Sequence, residues 1–375
     1  MLSRSAISRG LRHSSVHRLG ALRLVASGFT PSSEQPTQEA GPAQGSSSRR
    51  PTSWLTRKLE DSPAAKSAFL KFATFMGYGS PKQVAGRRAF AMYERLCVVR
   101  PDEDKAFWQD DCHLPPTFQS WFTVVNLHVW MLTVRLRALP PPHGMNHIQA
   151  LIDHFFLDVE DRVRAVLQPA TPDAMVSISP HGPYTTPSAF YVVANGGKPR
   201  PKGKAPEMLV SKQMKIFKEQ WAGMGMSFDV SLLRGDADMA AVIWRNLLGG
   251  RGARGIVYPS DEGTSSTQPH FRRSVNLVGG EVEKVKKIAK RGLELEEARD
   301  DGSGVHDYLP SEADKYVAYP ELMVALVSYI RRELVRLQNI PDEVVMGAGV
   351  TGKEGEGVPE LKFGRIVQEG RALVV

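Results

Sequence analysis

The chain has 375 residues, 42% of them hydrophobic, and a formal net charge of +8 from 48 basic and 40 acidic side chains. That apolar share is compatible with a packed core in one large domain or two. The two cysteines, Cys97 and Cys112, form no C-x-x-C pair and exclude a disulfide framework, which fits a reducing compartment or incidental thiols.

The first 33 residues carry arginines at positions 4, 9, 12, 18 and 23, many serines, and no acid until Glu34. Leu2, Ile7, Leu11, Val16, Leu19 and Leu22 give an intermittent apolar face. Arg-rich, Ser-rich and acid-free describes a mitochondrial transit peptide over 1–33, and the arginines interrupt the apolar core that a secretory signal requires. Without that stretch 43 basic residues face 40 acidic ones, a net +3. Global charge then makes no case for nucleic-acid binding, and any such case is local.

Residues 34–53, rich in Ser, Gly, Pro and Gln, read as a disordered linker, with order beginning near Trp54. The stretch AAKSAFLKFATFM (64–76) predicts a short helix ended at Gly77. Ser80-Pro81 is a helix start, leading into a stripe at Val84, Arg88, Met92 and Leu96. Residues 118–138 contain FQSWFTVVNLHVWMLTVRLR. Its apolar part, bounded by Gln119 and Arg135 and broken by Asn126 and His128, is shorter than the roughly 18 to 20 residues of a membrane span. Apolar on nearly all sides, it reads as the central helix of a helical domain, stopped by Pro140-Pro141-Pro142.

Residues 146–167 predict an amphipathic helix. Ile148, Leu151, Ile152, Phe155, Phe156, Val159, Val163, Val166 and Leu167 share one face, with Asp153, Asp158, Asp161, Arg162 and Arg164 largely off it. A Pro- and Gly-rich insertion occupies 170–206, followed by a helix over 207–224. Asp236 is expected to cap a helix with Met239, Val242, Ile243 and Leu247 inward, ended by Gly249-Gly250. A second insertion, 250–310, opens GGRGARG and contains the charged piece EVEKVKKIAKRGLELEEAR. A last helix spans 320–338, leaving 341–375 as a C-terminal tail. Few segments alternate with period two, so the predicted fold is all-α: a single multi-helix domain over 54–340 with two long loop insertions.

Chemistry is scarce. His143 and His147 are four apart, but the prolines and Gly144 place His143 in a loop, and no Glu-x-x-His pair recurs to build a di-metal bundle. Asp153, Asp158, Glu160 and Asp161 invite comparison with the acidic helices of isoprenoid synthases. Asp236 and Asp238 are the only facing candidates, and they sit where a helix start favours acids in any case. There is no G-x-S-x-G and no phosphate-binding loop. GGRGARG and the KPRPKGK stretch (Lys198 to Lys204) read as linkers or loops, with RNA-backbone contact by Arg251 and Arg254 as the alternative. No catalytic, metal or cofactor residue emerges. His128, Trp121 and Trp130 are core or partner-contact residues, and Arg135, Phe155, Phe156, Asp158, Trp244 and Arg245 are further candidates for either role.

Four segments resemble the ubiquinol–cytochrome c chaperone family: Phe118 to Arg137, His147 to Leu167 with its Phe155-Phe156-x-Asp158-x-Glu160 core, Phe228 to Leu248 with Trp244-Arg245-Asn246, and more weakly Tyr319 to Pro341. The resemblance covers most of 80–170 and 207–249 and the helix near 320–338. It does not cover 1–50, the two insertions or the tail. It implies a non-enzymatic mitochondrial assembly factor for complex III on the matrix side of the inner membrane. Such a protein works with a small partner assembly factor and receives newly made cytochrome b at the mitochondrial ribosome; the composition of the basic loops, read apart from the resemblance, suits contact with rRNA there. Peripheral membrane association is expected, with no cofactor. An isoprenoid-synthase-like enzyme and a structural ribosome-associated protein are the rival readings.

Overall fold

A computed structural model describes residues 80–167, 207–258, 304–347 and 357–367, with short pieces at 62–64, 67–69, 71, 176–177, 185–186 and 270–272. The expected transit peptide, the linker, the KPRPKGK stretch and the charged piece at 281–299 lie outside the described residues. So does most of the helix expected at 64–76, of which 64, 67–69 and 71 are described and helical.

Ser80 opens helix α1 (Pro81–Met92) in the expected way: its extended backbone turns into the helix, its hydroxyl accepts the Gln83 amide at 3.4 Å, and a proline occupies the first turn. The helix widens into a π turn over Tyr93–Cys97. The inward face differs from the expected stripe. Ala85, Arg88, Ala89, Met92 and Leu96 are buried, while Val84 is exposed. Positions four apart drift around a 3.6-residue helix, and the small alanines centre the face that packs against α3.

Helix α2 (Phe118–Arg137) is capped by Thr117, whose hydroxyl accepts the Ser120 amide. Every residue in it is buried except Val134 and Arg137, as an all-round apolar helix requires. Helix α3 spans His143–Leu167 and so begins earlier than expected, with His143 as its first residue rather than in a loop. The prolines precede the helix instead of interrupting it, and Pro142 accepts the Asn146 amide at 3.2 Å. Gly144 marks a close approach: a Cβ there would lie 2.6 Å from the Leu136 carbonyl oxygen of α2. His147 is buried, with Nδ1 2.8 Å from the His143 carbonyl.

Helix α4 is one continuous rod, Glu207–Arg234, and α5 spans Asp236–Asn246. Gly235, not Asp236, is the cap: its φ of +125° suits glycine, and Asp236 is the first helical residue, paired with Arg331 at 2.9 Å. Met239, Val242, Ile243 and Leu247 are buried as expected. Gly249 and Gly250 end this stretch with positive φ, and a Cβ on Gly249 would collide with the Val305 side chain. Helix α6 spans Tyr319–Gln338 and α7 Asp342–Met346.

The all-α expectation is met. Pairs α1–α3, α3–α4, α4–α5 and α5–α6 pack in turn, and α2 packs on α3 and α6. Strand structure among the described residues is limited to two-residue antiparallel pairs, Val176–Ser177 with Thr185–Thr186 and Phe271–Arg272 with Val305–His306. No helix among the described residues is long and apolar enough to cross a membrane.

The segment set apart as a tail contributes to the core. Val358, Leu361 and Phe363 are buried, and the run from Lys362 onward, whose first residue is extended, has no ladder partner among the described residues. Arginine side chains hold its carbonyls instead: Arg336 reaches those of Glu360 and Leu361, Arg100 those of Phe363 and Gly364, and Arg332 that of Arg365.

Candidate functional site: the signature residues and their ties

His128 lies fully buried in the middle of α2. Its Nδ1 is 2.7 Å from the Val124 carbonyl, so that nitrogen carries the hydrogen and donates; Nε2 then accepts from the Tyr329 hydroxyl of α6 at 2.9 Å. Burial pushes the imidazole down to about 3, and the Arg100 charge adds to the shift. The same burial pushes the Tyr329 phenol well up. Both groups stay neutral and tie α2 to α6, with the Phe363 ring 4.9 Å from the imidazole.

Trp130, also fully buried, donates its indole N–H to Asp229 of α4 at 2.9 Å, and Arg137 donates to the same carboxylate oxygen at 2.8 Å. Arg135 reaches the far end of α6, donating to the carbonyls of Leu337 and Ile340 and to Asp342 at 2.6–2.8 Å. A helix C-terminus presents unpaired carbonyls and a negative dipole end, so a guanidinium fits there on both counts.

A second neighbourhood gathers Trp121, Phe155, Phe156 and Asp158. Phe155 stacks on Phe122 at 5.5 Å, and both Phe155 and Phe156 pack near Trp221. Phe156 is half-buried, with the Lys218 ammonium 5.6 Å over its ring. Asp158 is not a free surface acid. It accepts from Tyr93 at 2.6 Å and Arg162 at 2.9 Å, and that guanidinium lies 4.2 Å over the Trp121 ring. Trp244 and Arg245 stand apart from both groups: the half-buried Trp244 donates to the Arg251 carbonyl at 3.1 Å, and Arg245 is exposed in the last turn of α5.

Arg251 overturns the linker reading of GGRGARG and the alternative of RNA contact at that residue. It is buried, and its guanidinium donates to the carbonyls of Cys112, His113 and His306 and to the hydroxyls of Tyr308 and Tyr319. Arg254 is exposed. Arg100 is the other arginine that periodicity could not find. It pairs with Glu103 at 2.8 Å and with Asp104, and burial outweighs that pairing, pushing the Asp104 carboxyl up to about 6. An arginine reads as surface in a hydropathy pattern, and only the fold shows these two inside. Of the acids that invited the isoprenoid-synthase comparison, Asp153 accepts from Gln149, Asp158 as above, Glu160 from Arg164 and Asp236 from Arg331, while Asp161 and Asp238 are exposed. Among the described residues, no three His, Cys, Asp or Glu side chains come together in a metal-binding arrangement.

Residues 110–170 and 202–298, which include α2 to α5, match the sequence model of the ubiquinol-cytochrome C chaperone family. The chain is similar to "Protein CBP3, mitochondrial" of Saccharomyces cerevisiae, 28% identical over 175 residues, which cover 44% of this chain and 42% of that protein. It is also similar to "Ubiquinol-cytochrome c reductase complex assembly factor 1" of Homo sapiens, 25% identical over 202 residues, or 51% of this chain and 54% of that one. The protein of that name in Mus musculus is 31% identical over 102 residues, 26% of this chain and 33% of the relative. The chain thus spans about half the length, or less, of these relatives. No solved structure matches.

Proposed function

We propose that this chain, whose residues 110–170 and 202–298 match the ubiquinol–cytochrome C chaperone family model, is a member of that family and a non-enzymatic assembly factor for mitochondrial complex III. It binds newly synthesised cytochrome b at or near the mitochondrial ribosome, together with a small partner assembly factor, on the matrix side of the inner membrane.

The observation that carries this reading is the family match, which takes in α2 to α5, together with the similarity to human and mouse proteins named for assembly of this complex. The geometry is compatible with it. Titratable side chains of the signature segments, such as His128, Asp158 and Arg135, are spent on ties between helices, so these segments build a rigid scaffold. Binding of a hydrophobic client then falls to surfaces the scaffold presents. Basic loops remain the candidates for contact with ribosomal RNA, with Arg254 exposed and Arg251 withdrawn into the protein.

Crosslinking in isolated mitochondria during pulse-labelled translation tests the proposal. Nascent cytochrome b should be the product that attaches, and the protein should leave the ribosome in high salt while ribosome number stays intact. Stoichiometric retention in high salt would instead mark a structural ribosomal protein, and magnesium-dependent consumption of a prenyl diphosphate would mark the enzyme.

A further inference from the structure

We infer that the outward face of α4 is a docking surface for an anionic phospholipid bilayer. The inference rests on the proposed place at the inner membrane, with the peripheral association expected from the sequence, and gives that association a location. The helix has 28 residues, about 42 Å of rod. Its inward side is Leu209, Val210, Gln213, Met214, Ile216, Phe217, Met224, Phe228 and Ser231. At three- and four-residue spacing on the opposite side run Met208, Lys212, Lys215, Glu219, Ala222, Met226, Val230 and Leu233. In a helix that spacing forms one continuous face.

Two features of this face select its occupant. Met208, Met226, Val230 and Leu233 are 85%, 71%, 41% and 89% exposed, so the apolar part covers the C-terminal half and begins the N-terminal one. Between them Lys212 and Lys215 are exposed, and Lys218, also exposed, stands at the edge of the face with its ammonium over the Phe156 ring. Apolar side chains that enter the headgroup boundary, beside lysines that meet anionic headgroups, are how a helix lies on a charged bilayer. A groove of about 500 Å³ flanks the lysines, lined by Val210, Met214 and Ala222 on its apolar side and Lys215, Lys218 and Glu219 on its polar side, with Glu160 across from them. Glu160 is paired with Arg164 at 2.6 Å, which leaves Glu219 as the one acid on the stripe. Asp229, near the apolar end, is held by Trp130 and Arg137. RNA would use the lysines but not the apolar half, and an apolar protein helix would use the apolar half but not the lysines.

The test is flotation of the full chain with phosphatidylcholine vesicles, with and without phosphatidylglycerol. Two variants accompany it: Lys212→Glu, Lys215→Glu and Lys218→Glu together, and Met226→Gln, Val230→Gln and Leu233→Gln together. All six positions are exposed, so unchanged thermal melting is expected and confirms the fold. The wild type should float with the anionic vesicles and not with the neutral ones. The charge variant should lose on the order of 100-fold in affinity, from about 1 kcal/mol per lysine. The apolar variant should come off at high salt, where the wild type is retained. If the wild type binds anionic vesicles and both variants bind as well, α4 is not the surface, although peripheral association stands. If the wild type binds neither vesicle, both the surface and the peripheral reading fall. If the apolar variant keeps vesicle binding but breaks a self-association or a protein complex, the face is a protein interface and the inference is overturned.

Discussion

Asn126 lies fully buried within α2, and neither atom of its amide has a hydrogen-bond partner. A buried amide without partners costs roughly 1 to 3 kcal/mol, and replacing it by an apolar group of similar shape removes that cost. Asn126→Leu should therefore leave the urea midpoint unchanged or raise it; a clear fall would mean that the amide is satisfied by a buried water. His128 carries the pH dependence. Unfolded, its imidazole binds a proton below about 6.5; folded, it does so only near 3. Between those values the unfolded chain holds more protons, so this residue's contribution is lost as pH falls from 6.5, at up to about 1.4 kcal/mol per pH unit. Asp104 has the opposite sign. Raised from 3.8 to about 6, it binds its proton earlier in the folded state and weakens the fold as pH rises through that window. The His128 effect is isolated by comparing the wild type with His128→Gln: the stability gap between them should narrow from pH 7 to pH 5. A constant gap would reject a neutral, buried imidazole. That His128 sits on a buried helix was legible from the tryptophans and valines around it. That Tyr329, 201 positions away, completes its pairing was not, because no local pattern encodes a partner across the core.

At the scale of elements, starts and stops were the most legible features. Ser80-Pro81 and Gly249-Gly250 act through backbone chemistry that is local to them, and the fold keeps both. What the sequence concealed are joins made by side chains to distant main chain. Arg251 gathers the carbonyls of Cys112, His113 and His306 at one point, linking the turn after α5 to the segment before α2 and to the strand pair at Val305–His306. In the sequence it stands inside a glycine-rich run that reads as linker. The segment 357–367 escaped notice for a related reason: only Val358, Leu361 and Phe363 are buried in it, too few to form a periodic signal, and arginines rather than a ladder hold its backbone. Arg251→Met should cost about 3 to 5 kcal/mol, because it leaves buried carbonyls without donors. Arg251→Lys should recover only part, since an ammonium cannot span partners arranged around a planar fork. Chemical denaturation of both variants checks the ordering, and an unchanged midpoint for Arg251→Met would show that the turn after α5 contributes little to the fold.

For the whole molecule, the balance between scaffold and surface decides the function. The aromatic and charged residues that make the signature segments recognisable lie mostly inside: Trp121, His128, Trp130 and Phe155 are fully buried, Arg135 is tied to the end of α6, and Asp158 to Tyr93 in the turn after α1. They hold α1 to α6 in a fixed arrangement, which is why a resemblance built on them speaks for the fold before it speaks for any contact. Under the proposed function the client-specific step then depends on the protein being present and folded, and its loss should be selective. Depleting it should lower cytochrome b and complex III together, while other mitochondrially encoded products are still made at normal rates. Pulse-labelling of mitochondrial translation, followed by native electrophoresis of the respiratory complexes, reads both quantities in one sample. An equal fall of every mitochondrial product would point to a ribosomal component. Normal cytochrome b synthesis with normal complex III would remove the assembly role itself. The selective pattern is expected under that proposal because residues 110–170 and 202–298 match the chaperone family model and a similar human protein is named for assembly of a single complex, and a general translation factor would have no reason to spare the other products.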